Sequence, residues 1–144
     1  MTDCKQQLCT FYLGDLYLGV EVTDVLEVLL STELTAVPLA PACVSGLMNL
    51  RGQIVSALDL RKRLGLPDAP ETQRCVNIVL NRDDGAVSML VDDVGDVIKV
   101  PRSSFEATPP TVRENVRDVL HGVYKTDDAL LLVIDSDSVC DLSQ

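Results

Sequence analysis

The chain holds a single histidine, His121, and five cysteines, Cys4, Cys9, Cys43, Cys75 and Cys140. One imidazole cannot supply a two-histidine metal site, and no cysteine pair has Cys-x-x-Cys spacing, so no structural zinc is expected. A Ser-His-Asp triad is formally available, but no Gly-x-Ser-x-Gly elbow presents a serine to it. His121 beside Gly122 reads as a hairpin residue near the surface. Asp83-Asp84-Gly85 resembles part of a calcium loop, yet it lacks the later ligands and sits between strands, which makes it a turn. The acidic pair Asp92-Asp93 and the tail from Asp135 to Asp141 read as solvated, because strand and turn geometry splays neighbouring carboxylates. No phosphate-cradling glycine loop is present. Catalysis needs converging groups with matched pKa values, and these residues offer no such set. No catalytic residue, metal or cofactor is expected.

Arg51 stands out instead. It occupies a tight Arg51-Gly52 turn between two apolar runs, in the stretch Gly46-Leu-Met-Asn-Leu-Arg-Gly-Gln-Ile-Val-Ser-Ala-Leu-Asp-Leu-Arg61. The planar fork of arginine favours bidentate carboxylate pairing. Arg51 is either a plain solvent-exposed turn residue or half of an ion pair. Its best mate would be Glu27, which lies between apolar Leu26 and Val28.

The elements that must position these residues are mostly strands. At 144 residues, the chain is one domain, long enough to bury about two-thirds of its unfolded surface. Apolar residues are 47% and aromatics only 3%, so the core must be aliphatic, and β-branched side chains favour pleated surfaces. Leu8–Leu13 and Leu16–Val22 form a hairpin across Gly14-Asp15. A helical turn, then a strand, follows over Thr23–Leu30. Pro41–Gly46 reads as one helical turn with Gly46 at its C-terminal end. Leu47–Leu50 and Gln53–Leu58 are strands, and Asp59 caps a short helix to Leu64. Pro67–Gln73 is a polar connector. Arg74–Asn81 and Ala86–Val91 make a second hairpin, and Val94–Val100 is a strand. Residues 102–117 form a loop with at most one helical turn, and Val119–Tyr124 and Ala129–Ile134 make a last hairpin. A helical turn over Ser136–Leu142 closes the chain. About nine or ten short strands with little helix point to barrels or a sandwich.

A faint repeat runs through this pattern. Gly19–Val28 parallels Met89–Ile98. Asn49-Leu-Arg-Gly with Ile54–Asp59 parallels Leu120-His-Gly-Val with Leu130–Asp135. Two similar small β units, one per half, would account for it.

Net charge is −10, with 22 acidic against 12 basic residues. Nucleic acid and anionic membrane are therefore poor partners. Scattered cysteines among apolar neighbours fit buried free thiols in a reducing compartment. Met1-Thr-Asp-Cys-Lys5 does not lead a positive segment into an apolar one, so no signal peptide is expected. No apolar run approaches the ~20 residues that span a bilayer. A cytoplasmic protein is the expectation.

Asn49-Leu-Arg-Gly-Gln-Ile-Val55 with Asp59-Leu-Arg61, preceded by Val25-Leu-Glu-Val28 and followed by Val91-Asp-Asp-Val-Gly-Asp-Val97, resembles the CheW family. These are adaptors that link chemoreceptors to the histidine kinase CheA. The resemblance runs from Leu8 to about Leu142 and implies a mainly β fold. That fold is two intertwined five-stranded SH3-like barrels with a few short helices, the first over residues 14–78 and the second over 79–140 plus the N-terminal strand. It implies a non-catalytic scaffold. A groove between the barrels takes the cytoplasmic tip of a receptor, and the barrel ends pair with the kinase's homologous regulatory domain. By this resemblance Val25, Glu27, Leu47 and Arg51 belong to the receptor groove, with Glu27 and Arg51 the family's acid–arginine pair, which the two barrels would flank with Val25, Val28 and Leu50 and so leave partly buried. Gly46, Asn49, Gly52 and Gln53 belong to the kinase contact. Leu29 and Leu30 depart from the basic or polar residues common there. The length favours a stand-alone adaptor. A coupling protein of a pili or developmental cascade is equally compatible, and an isolated regulatory domain of a CheA-type kinase, being homologous, would look similar.

Overall fold

The computed structural model describes residues 5–30, 34–68, 75–83, 85–126 and 129–141. Cys4, the Pro67–Gln73 connector beyond Asp68, Arg74, Asp84 and Leu142 lie outside them. Eleven strands are present among the described residues: β1 Lys5–Leu13, β2 Leu16–Glu21, β3 Val25–Leu30, β4 Val44–Leu50, β5 Gln53–Asp59, β6 Val76–Leu80, β7 Val87–Val91, β8 Asp93–Pro101, β9 Phe105–Glu106, β10 Leu120–Lys125 and β11 Leu130–Ile134. Three short helices accompany them: α1 Leu60–Arg63, α2 Glu114–Arg117 and α3 Ser136–Cys140. None is long and apolar enough to cross a membrane.

The strands form two sheets, ordered β8-β1-β2-β11-β10-β9 and β3-β6-β7-β5-β4. The two orders correspond. In each, a hairpin (β1–β2 or β6–β7) is flanked on one side by a strand borrowed from the other half of the chain. On its other side it meets a second hairpin through a parallel pairing, β2 with β11 and β7 with β5. After β2 the chain makes a 3-10 turn at Val22–Asp24 and sends β3 into the second sheet; after β7 it sends β8 back to the first. The halves are thus intertwined. Leu16–Glu21 pairs in the sheet that also holds β10 and β11, and Val87–Val91 in the sheet that holds β5 and β6. The sixth strand of the first sheet is β9, two residues in the stretch read as a loop. So short a strand leaves no alternation to read.

Packing follows the same plan. One large cluster joins Phe11, Leu13, Leu18 and Val20 of the first sheet to Leu58, Ile78, Leu80 and Met89 of the second. A small cluster sits within each sheet: Leu8, Tyr124, Leu131 and Val133 in one, Met48, Val55 and Val79 in the other. Leu29 of β3 and Leu50 of β4 both pack on Met48, Val55 and Val79, although β3 and β4 are the opposite edges of their sheet. That sheet therefore curls around its own core.

The repeat is visible in the capping. β5 ends in Asp59 and β11 is followed directly by Asp135, and each aspartate caps a short helix. Asp59 Oδ1 accepts from Lys62 N at 3.3 Å, and Asp135 Oδ1 from Asp137 N at 3.0 Å. Gly46 departs from expectation. It lies inside β4, at a register shift between Val44 and Gly46, and closes no helix. A Cβ there would fall 2.7 Å from the Thr35 carbonyl oxygen, so glycine permits that close approach.

Candidate functional site

The site begins at the β4–β5 turn. Arg51 and Gly52 both have positive φ, 52° and 85°, the signature of a two-residue hairpin turn whose twist matches the strands. Asn49 stabilises it by accepting a hydrogen bond from Gly52 N at its Oδ1, 2.9 Å away. A Cβ on Gly52 would meet nothing within 4 Å, so glycine is required there by backbone conformation alone. Asn49 and Gly52 thus hold the turn that presents Arg51.

Arg51 Nη2 donates to Glu27 Oε1 at 2.7 Å. Four inter-strand spacings of ~4.8 Å would separate their strands in a flat sheet, well beyond the reach of an arginine. The contact therefore spans the seam where the sheet's two edges meet. The pair is less shielded than its sequence neighbours imply, because the guanidinium is 76% exposed and the carboxylate 22%. On β3, inward and outward positions alternate. Val25 and Leu29 pack inward, while Leu26, Val28 and Leu30 are exposed, so Val28 does not cover the pair. Those three leave an apolar row on an edge strand, the kind of surface that marks an interaction site.

The remaining candidates are spread along the same sheet. Val25 pairs with Leu80 and packs on the shared core. Leu47 exchanges backbone hydrogen bonds with Thr35, both at 2.8 Å. Gln53 is exposed at the start of β5. Glu27 and Arg51 come together, as do Asn49 and Gly52.

A second ion pair was not read from the sequence. Arg61 Nε donates to Asp92 Oδ1 at 2.9 Å, and Arg61 Nη2 to Asp92 Oδ2. Arg61 Nη1 also reaches Pro67 O at 3.0 Å, and Gly14 N donates to Asp92 Oδ2 at 2.8 Å. The side chains are 14% and 12% exposed. Asp92 is therefore not solvated, as the acidic pair Asp92-Asp93 would imply. Burial alone would raise its pKa, but Arg61 and the Gly14 amide hold it below the ordinary carboxylate value. The hydrogen bond to Asp92 raises the Arg61 guanidinium in turn. The signal was the Asp59-Leu-Arg61 motif, whose aspartate caps α1 and whose arginine reaches across to Asp92. In the same helix Arg63 donates to the carbonyls of Val139, Ser138 and Asp141 at 2.8–3.1 Å, capping the C-terminal end of α3.

His121 is half exposed, with Nε2 3.7 Å from Asp135 Oδ1, in keeping with a surface hairpin residue. Of the described cysteines, all free, only Cys9 is buried; Cys43, Cys75 and Cys140 are half-buried. Burial raises the thiol pKa of Cys9, Cys75 and Cys140.

A family model described as a CheW-like domain matches residues 7–144. The chemotaxis protein CheW of Rhizobium meliloti is 32% identical over 139 residues, covering 96% of this chain and 90% of that protein. The chemotaxis protein CheW of Bacillus subtilis is 30% identical, covering 94% and 87%. Among solved structures, the scaffolding protein TtCheW from Thermoanaerobacter tengcongensis superposes with a TM-score of 0.81 at 28% identity, covering 91% of this chain and 89% of that one.

Proposed function

The chain belongs to the CheW family, and from that premise we propose that it is a non-catalytic adaptor coupling chemoreceptors to a CheA-type histidine kinase. The observation that carries this reading is the extent of the match, which takes in both sheets from residue 7 to 144 rather than one motif.

The receptor tip would dock beside the Glu27–Arg51 seam, with Val25 and Leu47 contributing apolar surface. Several features favour this placement. The guanidinium faces solvent on a turn fixed by Asn49 and Gly52, and Leu26, Val28 and Leu30 leave apolar area next to it. The kinase's regulatory domain would meet Gly46, Asn49, Gly52 and Gln53. A net charge of −10 disfavours nucleic acid, and the protein would act in the cytoplasm, recruited to receptor arrays.

The test is kinase autophosphorylation with receptor-containing membranes, with and without this protein. The expected outcome is receptor-dependent activity that requires it. Unchanged activity, together with no binding to the kinase's regulatory domain, would refute the adaptor reading.

A further inference from the structure

A cavity of about 340 Å³ opens between the end of β2, the β8–β9 link and β10. Its polar lining is organised from the inside outward. Tyr124, buried on β10, donates its hydroxyl to Gln6 Oε1 at 2.7 Å, and Gln6 Nε2 donates to Glu21 Oε1. The buried phenol orients the amide, and the amide in turn fixes the Glu21 carboxylate. A group held by such a supporting shell is placed for recognition rather than free to swing. Phe105 supplies an aromatic wall. Its ring lies against Gly122, where a Cβ would fall 2.5 Å from the ring Cζ, and it meets Tyr124 at 5.2 Å. Glycine at 122 therefore makes the seat for a ring that still faces solvent.

The charges lining this cavity are left open. Glu21 Oε2 accepts no hydrogen bond among the described residues, and the exposed Arg102 guanidinium donates none. Arg102 Nη2 stands 3.7 Å from Glu21 Oε1, beyond hydrogen-bond reach. His121 lines the cavity too, but its acidic neighbour, Asp135 at 3.7 Å, lies outside the lining. One acid and one permanent cation thus share a pocket without closing on each other. A simple cation entering it would meet Arg102, and a simple anion would meet Glu21. A ligand with an ammonium and a carboxylate on neighbouring carbons satisfies both, each through a charge-assisted hydrogen bond. Apolar and aromatic walls with a few placed polar groups are the makeup of small-molecule sites.

We propose that this cavity is a binding site for a free α-amino acid with an aromatic side chain. Its ammonium donates to Glu21 Oε2, its carboxylate accepts from the Arg102 guanidinium, and its ring packs on Phe105. The site is separate from the Glu27–Arg51 seam, which belongs to the other sheet, and it does not depend on the coupling function proposed above.

L-Phenylalanine titrated into the full chain should shift the amide NMR signals of Phe105 and Gly122 saturably, with a Kd of about 1 mM or below. Phenethylamine, which lacks the carboxylate, and 3-phenylpropionate, which lacks the ammonium, should each bind at least about tenfold more weakly. Arg102→Ala should lower the affinity for L-phenylalanine by a similar factor. It should nonetheless melt within about 2 °C of wild type, because the guanidinium is mostly in water. Glu21→Gln, which keeps the side-chain shape, should weaken binding as much. Absence of a saturable shift at about 20 mM L-phenylalanine overturns the inference. Equal affinity for either analogue would make the cavity a plain cation or anion site and overturn the zwitterion. Undiminished binding by both variants would place the ligand elsewhere and refute the site. If Glu21→Gln fails to fold, Arg102→Ala decides alone.

Discussion

Arg61–Asp92 and Arg51–Glu27 are the same chemistry in opposite settings. The first is bidentate, mostly dry and reinforced by the Gly14 amide and the Pro67 carbonyl. It ties α1, the β1–β2 hairpin and the link between β7 and β8 into one unit. The second is a single contact whose guanidinium faces water. A buried charge cannot lose its partner cheaply, whereas an exposed pair is screened and contributes little to folding. The difference is one of burial: one arginine is locked into the fold, and the other keeps its guanidinium facing water.

Breaking the buried pair should have the largest effect. Arg61→Ala leaves the Asp92 carboxylate nearly dry, at a cost of about 3 kcal/mol, or a melting temperature lower by roughly 10 °C. Urea unfolding of the variant checks it; a loss as small as that for Arg51→Ala would erase the distinction between the two pairs. The next effect is in acid. Because the folded Asp92 titrates below its ordinary value of 3.8, its contribution to stability is complete at neutral pH. It is lost as pH falls from there through the lower folded value. Asp92→Asn should therefore show a shallower decline in stability below about pH 4 than wild type. The smallest expected change is at the seam. Glu27→Ala and Arg51→Ala should each cost under ~1 kcal/mol of stability, less still in high salt, yet each should impair receptor coupling. In a double-mutant cycle the combined loss should fall short of the sum. Strictly additive losses would show that Arg51 acts on a partner's carboxylate rather than through Glu27.

Much of this was legible in the chain because it is local. Gly14-Asp15 and Arg51-Gly52 specify their turns by backbone conformation, and Asp59 specifies its helix by a side-chain cap. The Glu27–Arg51 contact could be named in advance because a lone acid on an apolar strand needs a cation. What escaped was set by distant packing. Asp92 and Asp93 are identical neighbours, and only the approach of α1 to the β7–β8 link buries one and leaves the other outside. Gly46 looked like a helix end because its real constraint is a carbonyl eleven residues earlier in sequence, Thr35. The exposure of Val28 depended on which face of β3 turns inward, which alternating apolar residues on both faces conceal.

The exchange of β3 and β8 between sheets has a consequence for how the chain is made. As it leaves the ribosome, the β1–β2 hairpin emerges first and finds neither neighbour. The strand that flanks β1 starts at Asp93 and the one that flanks β2 starts at Leu130. At synthesis rates of about 5–20 residues per second, both hairpin edges stay open for seconds. The pairing that finally closes them is long-range in sequence, the slowest kind to form. Nascent protein therefore passes through an interval in which both outer edges of this hairpin lack partners, and neither half can complete its own sheet without the other.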